Sequence, residues 1–108
     1  MSPEKEHLFT LHLEGEWRIE QAPDLLQQVA GGWSALLKAA PPPACVEIDL
    51  AKVREIDACG GQLLALLQEQ VRLRGMTPRL SAVPPTVRER LALLGYLDGE
   101  TGGEGGEP

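Results

Sequence analysis

Six consecutive residues, Asp57-Ala58-Cys59-Gly60-Gly61-Gln62, together with Asp49 a few positions upstream, hold most of the chemical potential of this chain. A carboxylate placed just before an apolar helix accepts hydrogen bonds from the first free backbone N–H groups. Asp57 therefore reads as a helix N-cap, a partner contact, or both. The same N–H groups and the helix dipole favour negative charge, so a phosphate added there would reshape the surface. Cys59 stands at this helix start, where an exposed thiol can serve as a redox sensor; its commoner use is as a small packing residue. Asp49 suits the capping of nearby loop amides or contact with a partner, and is a poor candidate for a catalytic acid.

The remaining reactive residues point away from catalysis. No Ser/His/Asp or Cys/His order, no GxxxxGK[ST] loop and no close His–carboxylate pairing is present in the sequence. Gly60-Gly61 alone is not a nucleotide motif. Cys45 and Cys59 are too few for a four-ligand zinc site. His7 and His12 differ in parity along one strand, which sends them to opposite faces. No enzymatic activity, no metal and no cofactor are expected, and the two thiols are expected to be reduced.

The elements that must position these residues follow from hydrophobic periodicity. Phe9, Leu11 and Leu13 alternate with Leu8, Thr10 and His12, which predicts a strand. The Glu14-Gly15-Glu16 break then predicts a hairpin into a short second strand at Trp17-Arg18-Ile19, with Trp17 in the packing. Pro23 and Asp24 open a helix carrying Leu25, Leu26, Val29, Trp33, Leu36 and Leu37, with Gly31-Gly32 marking a bend or a close approach and Pro41-Pro42-Pro43 ending it. Val46, Ile48 and Leu50 alternate with Glu47 and Asp49 in a third strand. That alternation implies helices on one face only, since a strand buried on both faces would be nearly continuously apolar. A loop carrying Val53 and Ile56 leads to the strongest helix, from Asp57 to Arg74, closed by Gly75. Its stripe of Leu63, Leu64, Leu67 and Val71 reads as core, while Leu66, Gln70 and Leu73 flank it. A fourth strand over Arg79 to Val83 and a short helix around Val87, Leu91 and Leu94, stopped by Gly95, complete the series. The predicted fold is α/β, a mixed four-stranded sheet with helices packed mainly on one face, in the order β-β-α-β-α-β-α. One domain is expected over 1–97, followed by a disordered tail rich in Gly and Glu over 98–108.

Composition narrows the partners. With 108 residues there is room for one modest core, and no apolar run approaches the length of a membrane helix. A soluble, cytoplasmic protein without membrane insertion is expected. Ten basic against sixteen acidic residues give a net charge of −6, which would repel nucleic acid. Arg72, Arg74, Arg79, Arg88 and Arg90 supply half the positive charge, as a solvated face or as a surface for an acidic partner.

Two segments, Val46-Glu47-Ile48-Asp49-Leu50 and Ile56-Asp57-Ala58-Cys59-Gly60-Gly61-Gln62-Leu63-Leu64, carry a family resemblance. Their pattern is a strand ending in Asp, a short loop, then Asp, two small residues and Gly at the start of an apolar helix. It resembles the signature of the STAS family, the sulfate-transporter and anti-sigma-factor-antagonist domain, and the likeness extends over about 11–97. The resemblance implies a non-enzymatic module that docks a protein partner through the loop after the third strand and the following helix. Asp49, Asp57, Ala58, Cys59, Gly60, Gly61 and Gln62 would then form the docking region. In sigma-regulating members the residue before the glycine is a Ser or Thr that a partner kinase phosphorylates. Here Cys59 holds that position, and Ala58 precedes it, so the switch is expected to be absent. Gly61 also departs from the large aliphatic residue usual after the glycine. The Gln62-Leu63-Leu64 continuation is closer to stand-alone members linked with chemotaxis or histidine-kinase signalling. The expected partners are thus an anti-sigma or histidine-kinase type protein or a chemotaxis component. A second branch, the STAS subunit of a lipid-transport ABC system, would bind its ATPase through the same helix. Nucleotide, small-molecule or redox sensing forms a third alternative, and both a monomer and a weak homodimer are compatible with the sequence.

Overall fold

Leu11, Leu13, Gly15 and Trp17 share one parity, and the strand they belong to runs without interruption from Leu8 to Trp17 (β1) in the computed structural model, which describes residues 8–96. The expected hairpin is therefore absent. Gly15 adopts φ of +92°, but it lies within the strand, paired with Val53, and the chain continues to Trp17, which is 1% exposed. A single 3-10 turn at Ile19–Gln21 takes the place of the expected second strand. It leads directly into α1 (Ala22–Leu37), with Pro23 in the first turn.

The next strand, β2 (Cys45–Ile56), is longer than expected, because the stretch read as a loop is part of it. Beside β1 it contains two register shifts, between His12 and Glu14 and between Gly15 and Glu16, each leaving one extra residue on β2. These bulges explain the misreading. They change the spacing of buried residues from Val46, Ile48 and Leu50 to Val53 and Ile56, which breaks the period of two that identifies a strand. Then follow α2 (Ala58–Leu73), β3 (Thr77–Ser81) and α3 (Pro85–Leu93).

Among the described residues the sheet has three strands, in the order β1-β2-β3, and both pairings are parallel. The expectation of a mixed four-stranded sheet is corrected accordingly. With the hairpin gone, every connection passes through a helix, and a helical crossover returns the chain in the same direction. The expected tail at 98–108, and His7, lie outside the described residues.

One core joins all the elements. Leu11, Leu13, Val46, Ile48 and Leu50 from the sheet meet Leu25 and Leu36 of α1, Leu64, Leu67 and Val71 of α2, and Val87 and Leu91 of α3. Each such side chain contributes roughly 1.5–3 kcal/mol on burial. The opposite sheet face is exposed or half-buried and carries Leu8, Thr10 and His12 on β1, Cys45, Glu47 and Asp49 on β2, and Thr77, Arg79 and Ser81 on β3. Helices α2 and α3 end in the same way. After α2 the N–H groups of Gly75 and Met76 return to the carbonyls of Arg72 and Val71; after α3 those of Gly95 and Tyr96 return to Ala92 and Leu91.

Candidate functional site

The second bulge of β2 brings the chain to Asp57, the N-cap of α2. Its Oδ1 accepts the Gly60 N–H at 2.9 Å and its Oδ2 accepts the Ile19 N–H at 3.0 Å. The Asp57 N–H donates to the Trp17 carbonyl at 3.1 Å. One residue thus holds together the end of β1, the 3-10 turn and the start of α2. Desolvation would raise the pKa of its carboxyl, but backbone N–H groups of Gly60, Ile19, Cys59 and Asp57 itself outweigh that and hold it below its usual value.

The two glycines are required by close approach. A Cβ on Gly60 would lie 2.0 Å from the Trp17 carbonyl oxygen, and one on Gly61 would lie 2.6 Å from the ring of Tyr96. The first turn of α2 consequently lies flat on the end of β1, with Tyr96 seated on Gly61. This accounts for the departure noted at Gly61: the space of a large aliphatic side chain is filled by the aromatic ring.

Of the seven residues singled out in the sequence, Gly60 and Gly61 are buried, Asp57 and Cys59 are half-buried, and Ala58 and Gln62 are exposed. Ala58 and Gln62 begin an outer stripe of α2 that continues at helical spacing to Leu66 and Leu73, which are 53% and 69% exposed. Beside it, Leu26, Val29 and Trp33 of α1 and Leu63, Leu66 and Leu67 of α2 line an open apolar groove of about 280 Å³. No charged residue occurs over 25–37 or 58–68. The α1 side of this groove was missed in the sequence; its signal was an uncharged run with apolar residues too widely spread for one buried stripe.

Asp49 is in a different place. It lies on the open sheet face, where its Oδ1 accepts the Ala51 N–H at 2.9 Å across the first bulge and its Oδ2 lies 3.0 Å from His12 Nδ1. The amide-capping expectation holds, within a strand instead of at its end. The His12 pairing went unseen because 37 residues separate the partners. Ser81 occupies the same cross-strand row. However, Asp49 lies between Ser81 and His12, two strand spacings or about 9.5 Å apart, and a triad requires the histidine in the middle.

The five arginines do not converge on one patch. Arg72 pairs with Glu69, Arg74 lies 5.8 Å from the Trp33 ring centroid, Arg79 is on the open sheet face, and Arg88 and Arg90 are exposed on α3. Arg90 does reach a cleft with Arg18, Arg54, Thr86, Glu55 and Asp57. In that cleft Arg18 is already engaged by Glu16, Glu20 and Glu55, and Arg54 by Glu16, so the positive charge is largely compensated. Among the described residues no group of three metal-ligating side chains occurs, and no helix is long and apolar enough to cross a membrane.

The family model described as "Mlab, STAS domain" matches residues 3–98. A solved structure, the crystal structure of a sulfate transporter family protein from Wolinella succinogenes, is similar in fold, with a TM-score of 0.67 at 22% identity over 86% of this chain and 70% of that one. No curated protein matches the chain. With the match covering nearly all of the sequence, and the Asp57–Gly60 cap at the position the signature requires, the chain belongs to the STAS domain family.

Proposed function

We propose that this protein is a non-enzymatic docking module of signalling type, whose protein partner seats on the outer face of α2 and in the groove that α2 forms with α1. The observation that carries this reading is an apolar surface without charge, exposed on two adjacent helices of a chain of net charge −6. Leu26 and Leu66 are each more than half exposed there, where a lone folded domain gains nothing from them. Interface centres are depleted of charge in this way, and an apolar groove between helices suits an apolar helix face of a partner. Asp57, Gly60 and Gly61 fix the first turn of α2, and Ala58, Cys59 and Gln62 present its surface. With Cys59 in place of a phosphorylatable residue, docking is set by partner availability and not by phosphorylation.

A second reading, docking on the ATPase of a lipid-transport ABC system, uses the same helix. It is favoured by one observation: the matching family model carries the description Mlab and not that of an anti-sigma-factor antagonist.

A photocrosslinking residue at Leu66, compared with one at Arg79 on the open sheet face, tests both readings in host cells. Capture at Leu66 alone of a histidine kinase or chemotaxis protein supports the first reading, and of a transporter ATPase the second. Loss of the same partner in a Leu26→Asp variant would tie it to the groove. Equal capture at both positions, or none at Leu66, would remove docking at α2.

A further inference from the structure

The two edges of the sheet are built differently. At β3 the Thr77 N–H donates to the Ala44 carbonyl, toward β2, so by alternation Pro78 and Leu80 face outward. Pro78 has no N–H to offer, and the strand has only five residues, so this edge is closed to further pairing.

At β1 the side chain of Gln28 reaches down from α1 and acts as a strand would. Its Oε1 accepts the Glu14 N–H and its Nε2 donates to the Glu14 carbonyl, both at 3.0 Å. Glu14 therefore directs its backbone groups to the outer edge, and by alternation so do His12, Thr10 and Leu8. From Leu8 to Leu13 this edge carries no proline, lysine or carboxylate, and among the described residues no strand pairs with it. Gln28 closes the edge at Glu14 and leaves the stretch before it without a partner strand among the described residues.

We infer that a second copy of this chain pairs with that stretch, β1 against β1 in antiparallel orientation with Thr10 on the two-fold axis. The register is self-consistent on three counts. Thr10 meets Thr10 and Leu8 meets His12, all residues whose backbone groups point outward, so these are the hydrogen-bonded pairs, Phe9 and Leu11 form the non-hydrogen-bonded pairs between them, and about six ladder bonds form. Facing residues have the same parity, so core side meets core side and open face meets open face. No Asp, Glu, Lys or Arg occurs from Leu8 to His12, so none of these facing pairs sets one carboxylate or one ammonium against another. The contact is isologous and closes at a dimer, because the β3 edge at either end of the joined sheet is blocked. It also lies apart from the α2 face and does not depend on docking there.

Sedimentation from micromolar to millimolar concentration, with amide exchange followed residue by residue, tests it. The expected result is a shift from 11.7 kDa to twice that mass, with protection at Leu8, Thr10 and His12 that rises with concentration while Phe9 and Leu11 stay protected throughout. Thr10→Lys places like charges opposite each other on an accessible face and should abolish the shift, with the monomer's melting unchanged. Thr77→Lys, on the other edge, should leave it intact. A chain that stays monomeric, a dimer that persists in Thr10→Lys, or protection of Leu8 and Thr10 that is independent of concentration would each overturn the proposal.

Discussion

Asp49 and Asp57 lie on the same stretch of chain, each directly after a buried isoleucine, yet they do different work. Asp57 spends both carboxylate oxygens on backbone N–H groups from two separate elements. Asp49 spends one on a bulge amide two residues away and one on an exposed histidine ring. The first joins elements that are distant in sequence, so its loss disturbs packing; the second adjusts a local kink and a surface contact. Residue type alone does not separate them. What separates them is whether the donors are local or come from elsewhere in the fold.

The largest effect that would break this contrast comes from a residue with no side chain. Gly60→Ala drives a methyl group into the Trp17 carbonyl and pulls α2 off β1, so it should cost about 3 kcal/mol or more in urea unfolding. Asp57→Ala should follow, at about 1–2 kcal/mol for a lost cap, with amide exchange at Ile19 and Gly60 accelerated. Gly61→Ala should cost less than Gly60→Ala because a ring at the end of an element can move where a backbone carbonyl cannot. In a Tyr96→Ala background its cost should shrink further, so that the double variant is destabilised by less than the sum of the two single ones. Asp49→Ala should be the mildest, within about 1 kcal/mol, as expected for an exposed pair.

Acid titration sharpens the same comparison. The folded pKa of Asp57 is depressed, so its contribution is fully present above the unfolded-state pKa and is lost as pH falls through the folded one. Stability measured from neutral pH downward should therefore decline in wild type across that acidic window. The decline should be shallower in Asp57→Asn, and an identical slope in the two proteins would remove the assignment.

Much of this was legible in the sequence where the physics is local. The cap at Asp57, the glycine closures of α2 and α3, the core stripe of α2 and the polar alternation of Glu47 and Asp49 are set by residues within a few positions of each other. The hairpin at Glu14-Gly15-Glu16 was misread because a glycine between two glutamates looks like a turn unless the shared parity of Trp17 with Leu11 and Leu13 is also weighed. The far half of β2 was hidden because bulges erase the strand period. The contacts of Gln28 with Glu14, His12 with Asp49 and Gly61 with Tyr96 join distant residues, and no local pattern announces them.

The seat of Tyr96 on Gly61 has a practical consequence. It holds an aromatic ring against the first turn of α2, at the rim of the proposed docking face. A fluorinated tyrosine incorporated at Tyr96 would report occupancy of that face through its change in environment.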